Sequence, residues 1–170
     1  LGAPHRKTAF TVPTGNFGDI FAGYVARRMG LPVDRLVIAT NVNDILVRTL
    51  AAGAYEPREV VATTSPSMDI QVSSNFERLL FESVGRKAEQ VVSMMSSLRQ
   101  SGGFTIPDDG MAASRHQFAA GRTGEAETSF TISTVHKASG YLLDPHTAVG
   151  VTVALVPEGL VLGEVLRFGD

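Results

Sequence analysis

The residues best suited to chemistry are Thr14-Gly15-Asn16-Phe17-Gly18. Before them, Phe10, Thr11 and Val12 are strand formers, and Pro13 ends that strand because proline cannot donate to a ladder. After them, Phe17, Ile20, Phe21, Tyr24 and Val25 recur on one helical face. The first N–H groups of a helix lack partners inside the helix and carry the positive end of its dipole. Gly15 and Gly18 clear side chains from that approach and permit positive φ, while Thr14 and Asn16 add polar groups. A phosphate monoester fits this combination. The alternative is a plain turn capped by Thr14 or Asn16, with no ligand. Asp19 suits the dipole but would repel a phosphate, so its side chain must point elsewhere.

Two further polar stretches could reach the same place. Asn41-Val42-Asn43-Asp44 follows the apolar run Arg35-Leu36-Val37-Ile38-Ala39-Thr40. In a parallel sheet the C-terminal strand ends line the binding crevice, so this turn and the Gly15 turn share one edge. The alternative is that Asn43 or Asp44 caps the next helix. Ser65-Pro66-Ser67-Met68-Asp69 carries potential ligands, although Ser, Pro and Asp also serve as ordinary turn residues. His116 has no second ligand at helical spacing, and it and His136 read as surface residues. His146 follows Asp144-Pro145, a helix start with Asp as cap and Pro at the first helical position. It is either a polar contact near a ligand or a capping-region side chain.

The elements that position these groups read as α/β. Strands are expected at 8–12, 35–40 and 59–64, with the continuous run at 35–40 buried on both faces. Helices are expected at 17–29, from Ile45 to near Gly53, and after Ser73, where Ser74 and Glu77 form a capping box. Another helical face, Val91, Met94, Met95 and Leu98, stops at Gly102-Gly103. Residues 103–124 are unpatterned, with Asp108-Asp109-Gly110 as a turn. A helix over 125–139 turns Phe130, Thr134 and Val135 inward. Strand, helix and strand over 8–40 make a right-handed βαβ unit with a parallel sheet.

Composition sets bounds. The 170 residues suit one domain, and 44% hydrophobic against 19% charged can build a core. A net charge of −2 with scattered Lys and Arg offers no footprint for nucleic acid. With no cysteine there is no disulfide, thiolate nucleophile or Cys-based zinc site. No apolar run is long enough to span a bilayer. The expected location is cytoplasmic, with no nucleic-acid, membrane or metal partner. The chain opens at Leu1 without an initiating methionine, and one βαβ unit is too little for a doubly wound sheet. We expect part of a longer polypeptide.

Four blocks in order then carry a resemblance. The first is VPTGNFGDIFAGYVARRMGLP; LVIATNVNDIL, SPSMDIQVSSNFERLLFE and GYLLDPHTAVG follow. Together they resemble threonine synthase, in its longer bacterial and fungal form, over about residues 1–150 and within the C-terminal half of that family's chain. The resemblance implies the fold-type II pyridoxal-phosphate architecture, like tryptophan synthase β, here incomplete. It implies conversion of O-phospho-L-homoserine and water to L-threonine and phosphate, by a carbon–oxygen lyase with pyridoxal 5'-phosphate. Thr14, Gly15, Asn16, Phe17 and Gly18 match the loop that holds the cofactor phosphate. Asn41, Asn43 and Asp44 match a block at the active-site edge, and Ser67 falls in a further matched block. These four are the substrate-side candidates. On this basis 1–72 is part of the cofactor domain, 73–150 a mostly helical segment, and 151–170 unassigned.

Two departures bear on activity. The family's Schiff-base lysine lies in an N-terminal segment, and none of Lys7, Lys87 and Lys137 sits in its motif, so no catalytic residue is assigned here. From about Val151 the sequence leaves the family pattern, and a Thr-Ala-His-Pro block is missing. The expectation is a fragment that is inactive alone and requires the missing N-terminal part. The alternative is a non-catalytic phosphate-binding or interaction domain derived from such an enzyme. A nicotinamide-binding fold is disfavoured, because TGNFG is not GxGxxG and Asn41 stands where an acidic residue would close the second strand.

Overall fold

A computed structural model describes residues 5–155. Its centre is a three-stranded sheet of β1 (Thr8–Pro13), β2 (Val33–Thr40) and β5 (Phe118–Arg122), in the order β1-β2-β5. Both pairings are parallel. Between β1 and β2 runs α1 (Gly18–Arg28). After β2 come α2 (Ile45–Ala52) and β3 (Ala54–Tyr55), then α3 (Phe76–Ser83), α4 (Ala88–Ser101) and β4 (Phe104–Thr105). β3 and β4 form a small antiparallel pair. The helix α5 (Asp108–Gln117) leads into β5, and α6 (Glu125–Ser139) and α7 (Pro145–Leu155) close the described chain.

β2 is buried on both faces toward its C-terminal end. Leu36 and Ile38 join the main core with Phe17, Ile20, Tyr24, Leu46, Phe76, Leu80 and Phe118. Ala39 faces the other way and packs with Met68, Val149 and Val153. That second face explains two glycines. Pro13, Ala39 and Gly121 stand in register across the sheet, and α7 lies on this row. A Cβ on Gly121 would come 2.7 Å from Val153, and one on Gly150 would come 3.0 Å from Pro13. The small row lets the helix backbone settle onto the sheet.

Several expectations are corrected. No strand forms at 59–64: Val61 N–H donates to Asn43 Oδ1, Thr63 N–H to Asp69 Oδ2 and Thr64 N–H to Glu125 Oε2. Side chains thus occupy the donors a ladder would need. The third parallel strand is β5, inside the stretch read as unpatterned, so 1–72 and 73–150 share one sheet. Asp108, Asp109 and Gly110 open α5 rather than forming a turn, with both acids at the dipole's positive end. The Ser74–Glu77 capping box does not form, because Ser74 turns its amide and hydroxyl to Asn16 Oδ1. On α6, Val135 is buried as expected, but Phe130 is exposed and Thr134 only half-buried; Thr128 and Thr131 fill the buried face instead. Of the unassigned 151–170, residues 151–155 complete α7, and 156–170 lie outside the described residues.

Candidate functional site

All three sheet strands deliver their following turns to one edge. Thr14 N–H donates to Ala39 O (2.7 Å) and Thr123 N–H to Thr40 O (3.0 Å), so the turns after β1, β2 and β5 are stitched side by side. The turn after β1 is Thr14 to Phe17. Its sharpest point is Phe17, which precedes α1 with φ 69° and ψ 2°. Gly15 and Gly18 could take positive φ but do not; it falls on the phenylalanine instead. Burial holds it there: the Phe17 ring is 1% exposed, 5.3 Å from Phe76 edge-on and 5.8 Å from Phe118. A left-handed residue followed by helical ones turns successive N–H groups to one side, an anion-binding concavity.

Gly15 is needed for proximity rather than for φ. A Cβ there would lie 2.7 Å from the Ser67 carbonyl oxygen. On the other flank the loop is tied to the chain before α3. Ser73 Oγ donates to Gly15 O (2.8 Å), and Asn75 N–H donates to Asn16 O (3.0 Å).

No side chain caps α1. Thr14 hydroxyl donates to Val12 O (2.6 Å), and the Asn16 side-chain oxygen accepts from Ser74. The capping alternative for these two residues therefore fails. The first helical bond is Phe21 N–H to Phe17 O (3.1 Å). The amides of Gly18, Asp19 and Ile20 precede it, at the helix's open end. They open on a cleft of about 230 Å³ bounded by residues 13–20 and Asn75. Asn75 was not among the sequence candidates. Its signal, a polar residue just before a helix, was absorbed into the expected capping box.

The second turn is a polar cluster closed on itself. Asn41 Nδ2 lies within hydrogen-bond distance of Thr63 Oγ1 (2.9 Å), Ser65 Oγ (3.0 Å) and Asp69 Oδ1 (2.8 Å). Its oxygen accepts from Asn43 N–H (2.9 Å). Asn43 Nδ2 donates to Val61 O (2.8 Å). Asp44 stands before α2 without capping it; instead its carboxylate receives Arg48 Nε (2.8 Å) and Arg122 Nη1 (3.0 Å). Asp69 is pushed up by partial burial, yet bonds from the Thr63 hydroxyl and amide and from Asn41, with His146 nearby, outweigh this and hold it below the usual carboxylate range. The cluster holds the 65–69 turn, with its 3-10 segment Pro66–Met68, against the Gly15 loop.

The third turn borders a wider cleft of about 440 Å³, lined by Val42, Arg122, Thr123, Gly124, Glu127 and Thr152, among others. Among the described residues no group of three His, Cys, Asp or Glu could hold a metal ion.

No family model matches the chain. It is 51% identical over 154 residues to threonine synthase of Pseudomonas aeruginosa, covering 91% of this chain and 33% of that one. Against threonine synthase of Saccharomyces cerevisiae it is 44% identical, covering 88% and 32%. Its fold superposes on the PLP-bound threonine synthase of Brucella melitensis with a TM-score of 0.89 at 65% identity, covering 91% of this chain and 33% of that chain. The chain is homologous to a segment of threonine synthase. The yeast threonine synthase structure agrees, with a TM-score of 0.86 at 43% identity. The chain spans about a third of the length of the threonine synthases it matches. Its parallel sheet flanked by helices is thus part of the fold-type II architecture of pyridoxal-phosphate enzymes.

Proposed function

We propose that the whole protein is a threonine synthase, a pyridoxal-phosphate-dependent carbon–oxygen lyase that converts O-phospho-L-homoserine and water to L-threonine and phosphate. This chain supplies the cofactor's phosphate grip, through Thr14, Gly15, Asn16, Phe17 and Gly18. The observation that carries the reading is the uncapped N-terminus of α1, open on a cleft beside two glycines. Amides there donate to phosphoryl oxygens, and the helix dipole favours their charge. Asn75 borders the same cleft and adds a side-chain amide.

When bound, the cofactor is the electron sink for carbanion chemistry, and the lysine that carries it belongs to another part of the enzyme. The residues here bind and orient. Asn41, Asn43 and Asp44 shape the substrate side, with their polar atoms engaged beneath it. Ser67 seats the phosphate loop from the other side. None of Lys7, Lys87 and Lys137 sits in the family's Schiff-base lysine motif, so the chain alone is inactive and needs the N-terminal part. A cytoplasmic location suits a biosynthetic enzyme, and no helix among the described residues is long and apolar enough to cross a membrane.

The test is made on the full-length protein. Added pyridoxal phosphate should generate a visible absorption band and threonine formation from O-phospho-L-homoserine, while the isolated chain forms none. Gly18→Ala should keep the fold, because a Cβ there meets only Asn75 Nδ2, at 3.5 Å. It should raise the pyridoxal phosphate needed for half-saturation by about tenfold or more, as loss of charge-assisted bonds implies. Equal affinity of the unaltered protein for pyridoxal and pyridoxal phosphate would sink the reading.

A further inference from the structure

The Gly15 loop leans on the Ser67 carbonyl, and Ser67 in turn leans on α7. Ser67 N–H points at His146 Nε2 across 3.2 Å. A backbone amide can only donate, so this ring nitrogen must accept and carries no proton. In the neutral ring the proton then sits on Nδ1. Nδ1 faces Asp144 Oδ1 at 3.3 Å. Asp144 is itself held in place: it accepts from the amides of His146 (2.9 Å) and Thr147 (3.2 Å) and from the Thr147 hydroxyl. The anchor behind His146 is rigid, since Val149, Gly150 and Val153 fasten α7 to the sheet row of Pro13, Ala39 and Gly121.

We infer that His146 is a positioning residue for the phosphate loop: Asp144 selects its Nδ1–H tautomer, and its Nε2 holds the Ser67 amide so that the Ser67 carbonyl backs Gly15. The ring is about 32% exposed and the bond spans 79 residues of sequence, so it links two segments with no local reason to meet. The other bonds on that turn come from Asn41 and Thr63 and secure Ser65 and Asp69. They leave the Ser67 amide to His146.

This rests on the phosphate grip proposed above, and the test separates the two. In the full-length protein, affinities for pyridoxal phosphate and for pyridoxal are compared in the unaltered form, His146→Leu and His146→Gln. Histidine tautomers are read by long-range proton–nitrogen NMR. Gln can return an acceptor toward the Ser67 amide, and Leu cannot. His146→Leu should weaken pyridoxal phosphate by about tenfold, the scale of one lost hydrogen bond, and leave pyridoxal nearly unchanged. His146→Gln should recover most of that loss. The NMR signal missing from both variants should report protonated Nδ1 and bare Nε2. A protonated Nε2, or a Leu variant that loses both ligands equally or neither, overturns the positioning role. An unaltered protein that does not prefer pyridoxal phosphate overturns the grip itself, and this inference with it.

Discussion

Residue chemistry around the loop is governed by two neighbours that a sequence pattern treats alike. Gly15 has no room for a side chain, because its Cβ would meet a backbone oxygen at 2.7 Å. Backbone cannot swing aside as a flexible side chain can. Gly15→Ala should therefore destabilise by ~1–3 kcal/mol, seen as a lowered midpoint in denaturant. Phe17→Ala should cost about 3–5 kcal/mol, because it empties an aromatic site shared with Phe76 and Phe118. The identities of the loop residues were legible in the sequence. The division of labour was not: glycine spacing says that a turn is tight, but not whether the reason is φ or a close neighbour. Here the neighbour comes from residue 67, and no local pattern contains it.

Helices and strands with strong periodicity were legible, and their ends were less so. α1, α2, α4 and α6 fall close to the expected spans. Asp144 caps α7 as its sequence implies, with both first-turn amides donating to it. Asp144→Ala should cost ~0.5–2 kcal/mol by thermal melting. Asp44 has the same type and position relative to α2 but bonds Arg48 and Arg122 instead, since long-range partners can outbid a local cap. The strand expected at 59–64 failed for a related reason: Asn43, Asp69 and Glu125 take its amides. The acid behaviour of these turns follows. Hydrogen bonds from Thr147 hold Asp144 low, and the Thr63 and Asn41 bonds outweigh burial at Asp69 to hold it low as well. A depressed folded value means stability that is full above the unfolded value of about 4 and is lost as pH falls through the folded one. Melting temperature should drop below pH ~4, and Asp69→Asn should flatten part of that drop.

At the scale of the molecule, the missed element is β5. Phe118-Ala119-Ala120-Gly121-Arg122 is short and poor in branched residues, so propensity passes over it. Tertiary fit explains it, since Gly121 is small for the sake of Val153. Without β5 the third turn of the site, at Arg122 and Thr123, has no address. Both outer strands, β1 and β5, present an edge unpaired among the described residues. Met29, Val92, Phe130, Tyr141 and Leu142 are exposed as well. A chain of this kind produced alone should self-associate with rising concentration, measurable by sedimentation velocity, whereas the full-length protein should not.

The left-handed turn at Phe17 has one last consequence. Its backbone shape is set by three aromatic rings packed in the interior, not by whatever arrives outside. A guest would find the amides already aimed, and little chain freedom would be surrendered on arrival. Calorimetry should then record a small entropic penalty for phosphate-bearing ligands, and loosening the ring cluster with Phe76→Leu should enlarge it at an unchanged set of contacts.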